Sequence, residues 1–451
     1  MTSSTLGIRM TGIGTERFNR ACRTIALLWL IAGVPLTVVF RPMRSKDFPQ
    51  FYMGGVIVRH AQWQALYPTP EPRSLCNPGL AGDSYMHPTY AALAQKYAVE
   101  TGDEPRFIQP PPNALFYWPL SYIPYPLAYP LWTVLMGACA TAVAIMAGRI
   151  YEMCAGRKSR LAGLTTLLVA SSYLVYYVIR ATNTEMLLSA LIGVAVLGLI
   201  TGQTRRPAAA ICLGTINKYA LAMLLPLVVA MRRWNLLAWA VGIGLVVTGI
   251  SVLTMGLGPV VVFASEIFPL LSRPYAATIN QSMDGAIIHY SGLFPLPHWI
   301  SMLVRLASLL VLGLLLGLIF TRPQSHWLEP VRVFAAAAAL LTWLLIFSPL
   351  SWEKYHTYLC PLWGWLLWES FESRRRAITV GVVLASVWAP PILITKLDLP
   401  EPFTFHMLAA SMLMMGLAVA RLCSPLRQAS IVRPAQNRVG SKAGPLPEPA
   451  P

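Results

Sequence analysis

Apolar residues in this chain come in repeated uninterrupted blocks of roughly 17–25, the length that crosses the hydrocarbon of a bilayer. Each block must satisfy its own backbone hydrogen bonds in lipid, so uniformly apolar blocks of this length fold as helices. The composition agrees. Of 451 residues, 56% are hydrophobic and 12% charged, where soluble domains carry about 25% charge. The expected fold class is an all-α polytopic membrane protein.

A formal charge of +17 raises the question of nucleic acid, but the placement of the cations answers it. Basic residues gather in short connections, at Arg157-Lys158-Ser159-Arg160, Arg205-Arg206, Arg232-Arg233 and Arg374-Arg375-Arg376, and in the tail from Arg427 to Lys442. That is the positive-inside pattern of membrane topology, not a nucleic-acid footprint. Arg9, Arg17, Arg20 and Arg23 precede the first block, 24–40, and no small-residue cleavage site follows. The block reads as an uncleaved first span with a cytoplasmic N-terminus. Of seven cysteines only Cys76 sits in a long loop, and no C-x-x-C or disulfide framework appears.

Further spans are expected at 126–147, 161–177, 186–200, 236–257, 299–320, 333–347, 355–368, 378–394 and 403–422. Pro110, Pro119, Pro124, Pro126 and Pro130 forbid one straight helix from 110 to 147, so a partly inserted segment to Ile123 should precede the full span. Residues 207–230 differ again. Both flanks are basic and Asn217-Lys218 interrupts the middle, which predicts two half-spans with Lys218 at the outer turn. This gives about twelve segments with both termini inside. The chain reads as one integral membrane domain, 1–451, with a core at 24–422. Outer loops lie at 41–110 and 258–298, and a disordered cytoplasmic tail at 424–451. Within the first loop, the stretch from Ser45 to Pro68 is expected to form an interfacial helix with Trp63 and Tyr67 at headgroup level, followed by a short helix near 90–97.

Under this topology the ionisable groups collect on one face, and at membrane depth such groups are costly and functional. Transfer of a sugar from a lipid phosphate needs a carboxylate base, cations for the departing phosphate and a groove for the lipid. Asp47 suits the first role, or is a loop carboxylate paired with Arg44 or Lys46. Lys218 suits the second, or snorkels from a span end. Lys354, Glu353 and His356 fall within one helical turn at a span start, and His356 can donate to phosphate or be an interfacial histidine bonded to backbone. Arg180 is a further phosphate-binding candidate. The amides and hydroxyl of Asn280-Gln281-Ser282 in the 258–298 loop, with Glu353 and Tyr52, are candidates for orienting a sugar or acceptor. His60 and His87 have no ligand spacing, so no metal is expected. No phosphate-cradling G-x-x-x-x-G-K-[ST] or G-x-G-x-x-G loop occurs, which argues against an ATP-driven transporter half or a nucleotide-sugar enzyme. A secondary transporter or lipid-linked sugar flippase, or a non-catalytic scaffold, remains compatible with these residues.

Together the motifs resemble glycosyltransferase family 87 of the GT-C clan. Asp47-Phe48 with Phe51-Tyr52 and Leu66-Tyr67-Pro68 is similar to the family's first outer loop. Pro110-Pro111-Pro112-Asn113-Ala114-Leu115 resembles its Tyr-Pro-Pro segment, with Gln109 where Tyr is common. Asn217-Lys218-Tyr219-Ala220 resembles its Lys-Pro motif, with Tyr219 replacing proline. Asn280-Gln281-Ser282 and Ser348-Pro349-Leu350-Ser351-Trp352 match its Asn-Gln-Ser and Ser-Pro-x-Ser-Trp motifs, whereas Arg180 to Asn183 departs from its usual Gly-Gln. The resemblance covers 24–422. It implies a GT-C-type fold and an inverting transfer of mannose or arabinofuranose from a polyprenyl-phosphate donor to a glycolipid or polysaccharide acceptor. The site would lie on the outer face of a bacterial inner membrane, with Asp47 as base and no cofactor or metal beyond the donor itself.

Overall fold

A computed structural model of the chain describes residues 12–40, 47–67, 87–99, 107–272, 280–293, 297, 299–372, 380–381 and 405–425. Among them there is no strand, and one isolated antiparallel bridge joins Asn280 to Trp352. Helix α1 (Gly12–Phe40) carries the first apolar block. It is followed by α2 (Phe48–Arg59), α3 (Pro88–Lys96) and α4 (Pro111–Tyr117). The long α5 (Tyr125–Ala155) accommodates Pro130 inside it and stops at Gly156, whose φ of 64° is the left-handed conformation glycine adopts freely. Next come α6 (Arg160–Ala170) and α7 (Tyr173–Arg180), bent by 40° at the break. There the Ser172 hydroxyl accepts from the Val175 amide and restarts the helix. One apolar block thus becomes two pieces.

The chain continues through α8 (Glu185–Ile200), α9 (Arg205–Asn217), α10 (Leu225–Ala230) and α11 (Trp234–Met255). After these lie the short α12 (Gly258–Val262) and α13 (Phe268–Leu271), then α14 (Met283–Leu293), α15 (Trp299–Phe320), α16 (Pro330–Phe347), α17 (Trp363–Glu372) and α18 (His406–Cys423). Five of these helices, α5, α11, α15, α16 and α18, are long and apolar enough to cross a membrane, or six if α6 and α7 form one bent span. The protein is a multi-pass membrane protein. The expected span at 378–394 lies outside the described residues except for 380 and 381, as does the tail from 426 onward.

Packing orders the helices by depth. In α16, 72% of the apolar window is buried, and it packs most extensively against α18. In α15 the buried share is 11%, so that helix offers its leucines to lipid. Close approach depends on glycine. A Cβ at Gly364 of α17 would stand 2.0 Å from the Ala147 carbonyl oxygen of α5, and one at Gly55 would stand 2.3 Å from the Tyr117 carbonyl oxygen.

Two expectations need correction. The first-loop helix is not interfacial: Phe48 to Val58 of α2 is buried on every side, wedged against α4, and Tyr67 is buried with its hydroxyl donating to the Gln109 carbonyl at 2.8 Å. Its apolar residues cover the whole circumference, and Gly54 and Gly55 let neighbours close in. The block at 355–368 is also not one α-span. Glu353–Leu362 is a 3₁₀ helix that becomes α-helical only at Trp363. Pro361 removes one backbone donor, and the Thr357 hydroxyl donates to the Lys354 carbonyl at 2.7 Å.

The half-span expectation holds in its local geometry. α9 ends at Asn217, Lys218 is extended (φ −153°, ψ 137°), and a 3₁₀ turn, Tyr219–Leu224, leads into α10. The Arg233 guanidinium donates to the Gln203 carbonyl at 2.8 Å, so both basic flanks share one end of the bundle and Lys218 stands at the other.

Candidate functional site

Four segments distant in sequence converge on Asp47. The carboxylate opens α2 and is buried, at 6% exposure. Its Oδ2 accepts from the Lys354 ammonium at 2.8 Å and from the Asn183 side-chain amide at 2.5 Å, and its Oδ1 accepts from Gln50 at 3.3 Å. Beside this pair lies a second one. The Lys218 ammonium bonds the fully buried Glu185 carboxylate and stands 4.4 Å from the centre of the Tyr355 ring. Two carboxylates therefore face two ammoniums, and the site is close to neutral at rest.

Burial alone would raise the Asp47 carboxyl. The Lys354 charge and its hydrogen bond, the more distant Lys218 and the Asn183 amide outweigh this and hold it below the usual carboxylate range. At neutral pH Asp47 is ionised.

Each member is held by its own local structure. Asn183 follows Thr182, whose φ of 51° is a left-handed conformation rare for a β-branched residue. Such strain costs on the order of 1–3 kcal/mol and persists where the surroundings enforce it. Here the Trp132 indole donates to the Thr182 carbonyl at 3.0 Å and the Thr182 amide donates to the Ile179 carbonyl at 3.0 Å. The turn aims the Asn183 amide at Asp47 and sets Glu185 at the start of α8. Lys218 occupies the extended break after α9.

Lys354 is placed by a clamp between two motifs about seventy residues apart. The Asn280 side chain donates to the Pro349 carbonyl at 3.0 Å and accepts from the Ser351 amide at 2.8 Å. The Gln281 amide donates to the Ser351 carbonyl at 2.7 Å. Asn280, Gln281, Ser282 and Ser351 are wholly buried. This clamp fixes the strand-like entry to the 3₁₀ helix on which Lys354 rides.

Of the residues singled out in the sequence, the fold brings Asp47, Lys218 and Lys354 together. It does not bring the others to this cluster. Asn280 and Gln281 act through the clamp. Glu353 is buried beside Tyr177, away from Asp47. His356 is buried beside His406 at the start of α18 and shares no hydrogen bond with Asp47, Lys218 or Lys354. Tyr52 is buried and gives its hydroxyl to the Ile123 carbonyl at 2.8 Å, a strut between α2 and the entry to α5. Arg180 ends α7 half-buried, without a hydrogen bond to Asp47. Arg44 and Lys46, the alternative partners for Asp47, lie outside the described residues, and among the described residues Asp47 pairs with Lys354. Sequence reasoning misses Asn183 and Glu185. The signal for them is a polar run, Thr182 to Glu185, set between two apolar helices. Among the described residues no group of three or more His, Cys, Asp or Glu could hold a metal.

Chemically, the arrangement offers an ionised buried carboxylate within bonding distance of an ammonium, with a second ammonium nearby. It can accept a proton and meet an anion at one place. The glycosyltransferase family 87 model matches residues 107–349. That range includes Asn183, Glu185, Lys218 and Asn280, while Asp47 and Lys354 fall outside it. One curated protein, a polyprenol-phosphate-mannose-dependent alpha-(1-2)-phosphatidylinositol pentamannoside mannosyltransferase of Mycobacterium tuberculosis, is 27% identical over 311 residues, spanning 66% of this chain and 67% of its own length.

Proposed function

The chain belongs to glycosyltransferase family 87 and is a membrane glycosyltransferase; from that premise we propose that it carries a sugar, mannose in the first instance, from a polyprenyl-phosphate donor to a glycolipid or polysaccharide acceptor, with inversion. The active site faces the outer side of a bacterial inner membrane. The relative's named donor supports the donor class. The observation that carries the reading is the ionised Asp47 carboxylate bonded to Lys354 beside the Lys218–Glu185 pair.

In this reading the acceptor hydroxyl attacks the anomeric carbon while the bond from that carbon to the phosphate oxygen breaks. The hydroxyl proton passes to Asp47, and the electron pair leaves with the polyprenyl phosphate. Lys354 and Lys218 meet that phosphate. Asp47 in its resting state is a weak base because Lys354 stabilises its charge. A phosphate that draws Lys354 away returns the buried carboxylate to a higher proton affinity, so donor binding arms the base. Asn183 keeps the carboxylate oriented throughout.

The test is sugar transfer in reconstituted membranes with polyprenyl-phosphate mannose and a glycolipid extract, comparing the wild type with Asp47→Asn. Transfer by the wild type and its loss in a folded Asp47→Asn protein is the expected result. Equal transfer by both would remove Asp47 as the base. No transfer from any polyprenyl-phosphate sugar would remove the donor class and favour the flippase reading.

A further inference from the structure

Where the chain enters α5, aromatic side chains stand at the edge of an apolar stripe. Trp118 and Tyr122 are 40% and 59% exposed, with ring centres 6.5 Å apart. Further along α5, Leu127, Leu131 and Val134 are exposed at the spacing of one helix face. Tryptophan and tyrosine beside bare aliphatic side chains mark the level where hydrocarbon gives way to headgroups. This rim lies at the opposite end of α5 from Arg157 and Lys158.

Cations collect on this rim without counter-charges. Arg59, the last residue of α2, holds its guanidinium 4.5 Å from the centre of the Tyr122 ring and donates through Nη1 to the Ser121 carbonyl at 2.8 Å. Arg59 Cζ and the Nζ of Lys96, at the end of α3, each stand 5.8 Å from the centre of the Tyr97 ring. The Tyr97 hydroxyl is 2.7 Å from His60 Nε2. Partial burial, then the Lys96 and Arg59 charges, hold His60 below its usual range, so it is neutral at pH 7. Both cations are exposed, and among the described residues neither pairs with a carboxylate. Two like charges sharing one ring repel each other, and they sit away from the end where this protein gathers its basic connections. An anion resolves both features.

We propose that this rim binds the headgroup of an anionic phospholipid, with its phosphodiester between Arg59 and Lys96 and its acyl chains along the stripe of Leu127, Leu131 and Val134. The Tyr122 ring and the Ser121 bond fix the plane of the Arg59 guanidinium. They leave its Nε and Nη2 edge, the fork that suits two phosphate oxygens, without a protein partner. The lipid is not a reactant, because Arg59 stands a helix length, about 18 Å, from Asp47. Its work is to hold α2. Asp47 opens that helix and Arg59 closes it, so a phosphate that ties Arg59 to α3 steadies the far end of the element carrying the carboxylate. The effect on activity rests on the transfer reading, and the binding does not.

The test uses purified full-length protein in phosphatidylcholine nanodiscs containing phosphatidylglycerol with a diazirine near its headgroup, the crosslinks mapped by mass spectrometry. The expected crosslinks fall in α3, in the turn before α5 and in the first turns of α5. Unlabelled phosphatidylglycerol should compete roughly 25-fold better than phosphatidylcholine, about fivefold from each cation. Arg59→Gln with Lys96→Gln should erase that preference, whereas Arg157→Gln with Lys158→Gln, at the other end of α5, should leave it. Lys96→Gln alone changes an exposed helix end and should reduce the preference about fivefold, which keeps the test readable if Arg59→Gln disturbs α2. Sugar transfer by the wild type should rise severalfold when phosphatidylglycerol is added, with no response from the double variant. Crosslinks elsewhere, a preference unchanged in the double variant, or displacement of the label by a soluble manno-oligosaccharide would overturn the proposal, the last by making the rim a sugar platform. Labelling at the rim with transfer indifferent to phosphatidylglycerol would remove the role in holding α2. Should the expected labelling occur without transfer from any polyprenyl-phosphate sugar, the lipid site stands and the transfer reading falls. Transfer with labelling elsewhere means the opposite.

Discussion

Buried charge occurs at both ends of α16, and the two clusters are built on different plans. At its start the Arg332 guanidinium, 2% exposed, donates to Glu329 at 2.7 Å, meets the His326 ring at 3.2 Å, and donates to the Ser424 and Pro425 carbonyls at 3.1 Å each. Its donors are spent on fixed acceptors, two of them carbonyls past the end of α18. The cluster ties two helix ends together, as a buried cation must be tied. Beyond the other end of α16, Asp47, Lys354, Glu185 and Lys218 pair one to one, and Glu185 Oε2 and the Asn113 amide keep unspent capacity. The first cluster is saturated. The second can exchange partners, and exchange is what a substrate requires.

That contrast can be broken from either side. Asp47→Asn should lower transfer by roughly 10²- to 10⁴-fold, the range for loss of a general base, with the protein still folded in detergent; full activity would make the Asp47 pair another structural tie. Arg332→Ala should do the reverse, costing on the order of 3 kcal/mol of stability in detergent with transfer per folded molecule retained. Loss of transfer in the folded variant would show that the two ends are not separable.

Smaller effects sharpen the comparison. Lys354→Gln removes the charge that holds Asp47 low and leaves burial, which raises it. A base must be deprotonated, so the acid limb of kcat/KM should move to higher pH and the donor KM should rise. An unmoved acid limb would separate Lys354 from the base. Asn280→Ala loosens the clamp that places Lys354, and should raise the donor KM roughly tenfold, about 1.4 kcal/mol, and move the acid limb in the same direction as Lys354→Gln but by less. Asn183→Ala, which removes one neutral donor from Asp47, should cost less than tenfold, in keeping with about 1 kcal/mol for such a bond.

The legibility of the chain follows the physics of each part. The bounds of α15 are readable to the residue because its surroundings are lipid and hydropathy alone decides them. The break at Lys218 is readable because two basic flanks and a polar pair force it. The burial of α2 is not. An apolar helix in an outer loop has the same pattern whether it lies on lipid or is wedged against α4, and Gly54 and Gly55 reveal which only once Phe107 and Tyr117 are in place. Asn183 and Glu185 are hidden for a related reason. Their partners are 136 and 33 residues away, and no spacing rule connects them. The Asn280 motif is visible, but its work is to hold the Ser-Pro-x-Ser-Trp segment, a role that only the cross-chain hydrogen bonds reveal.

The early end of α9 reaches beyond the ion pairs. Thirteen helical residues from Arg205 to Asn217 rise about 20 Å, against a hydrocarbon thickness of about 30 Å. With Arg205 and Arg206 at one aqueous boundary, Lys218 stops roughly 10 Å short of the opposite one. An ammonium at that depth has to be paired, and Glu185 supplies the charge that pairs it.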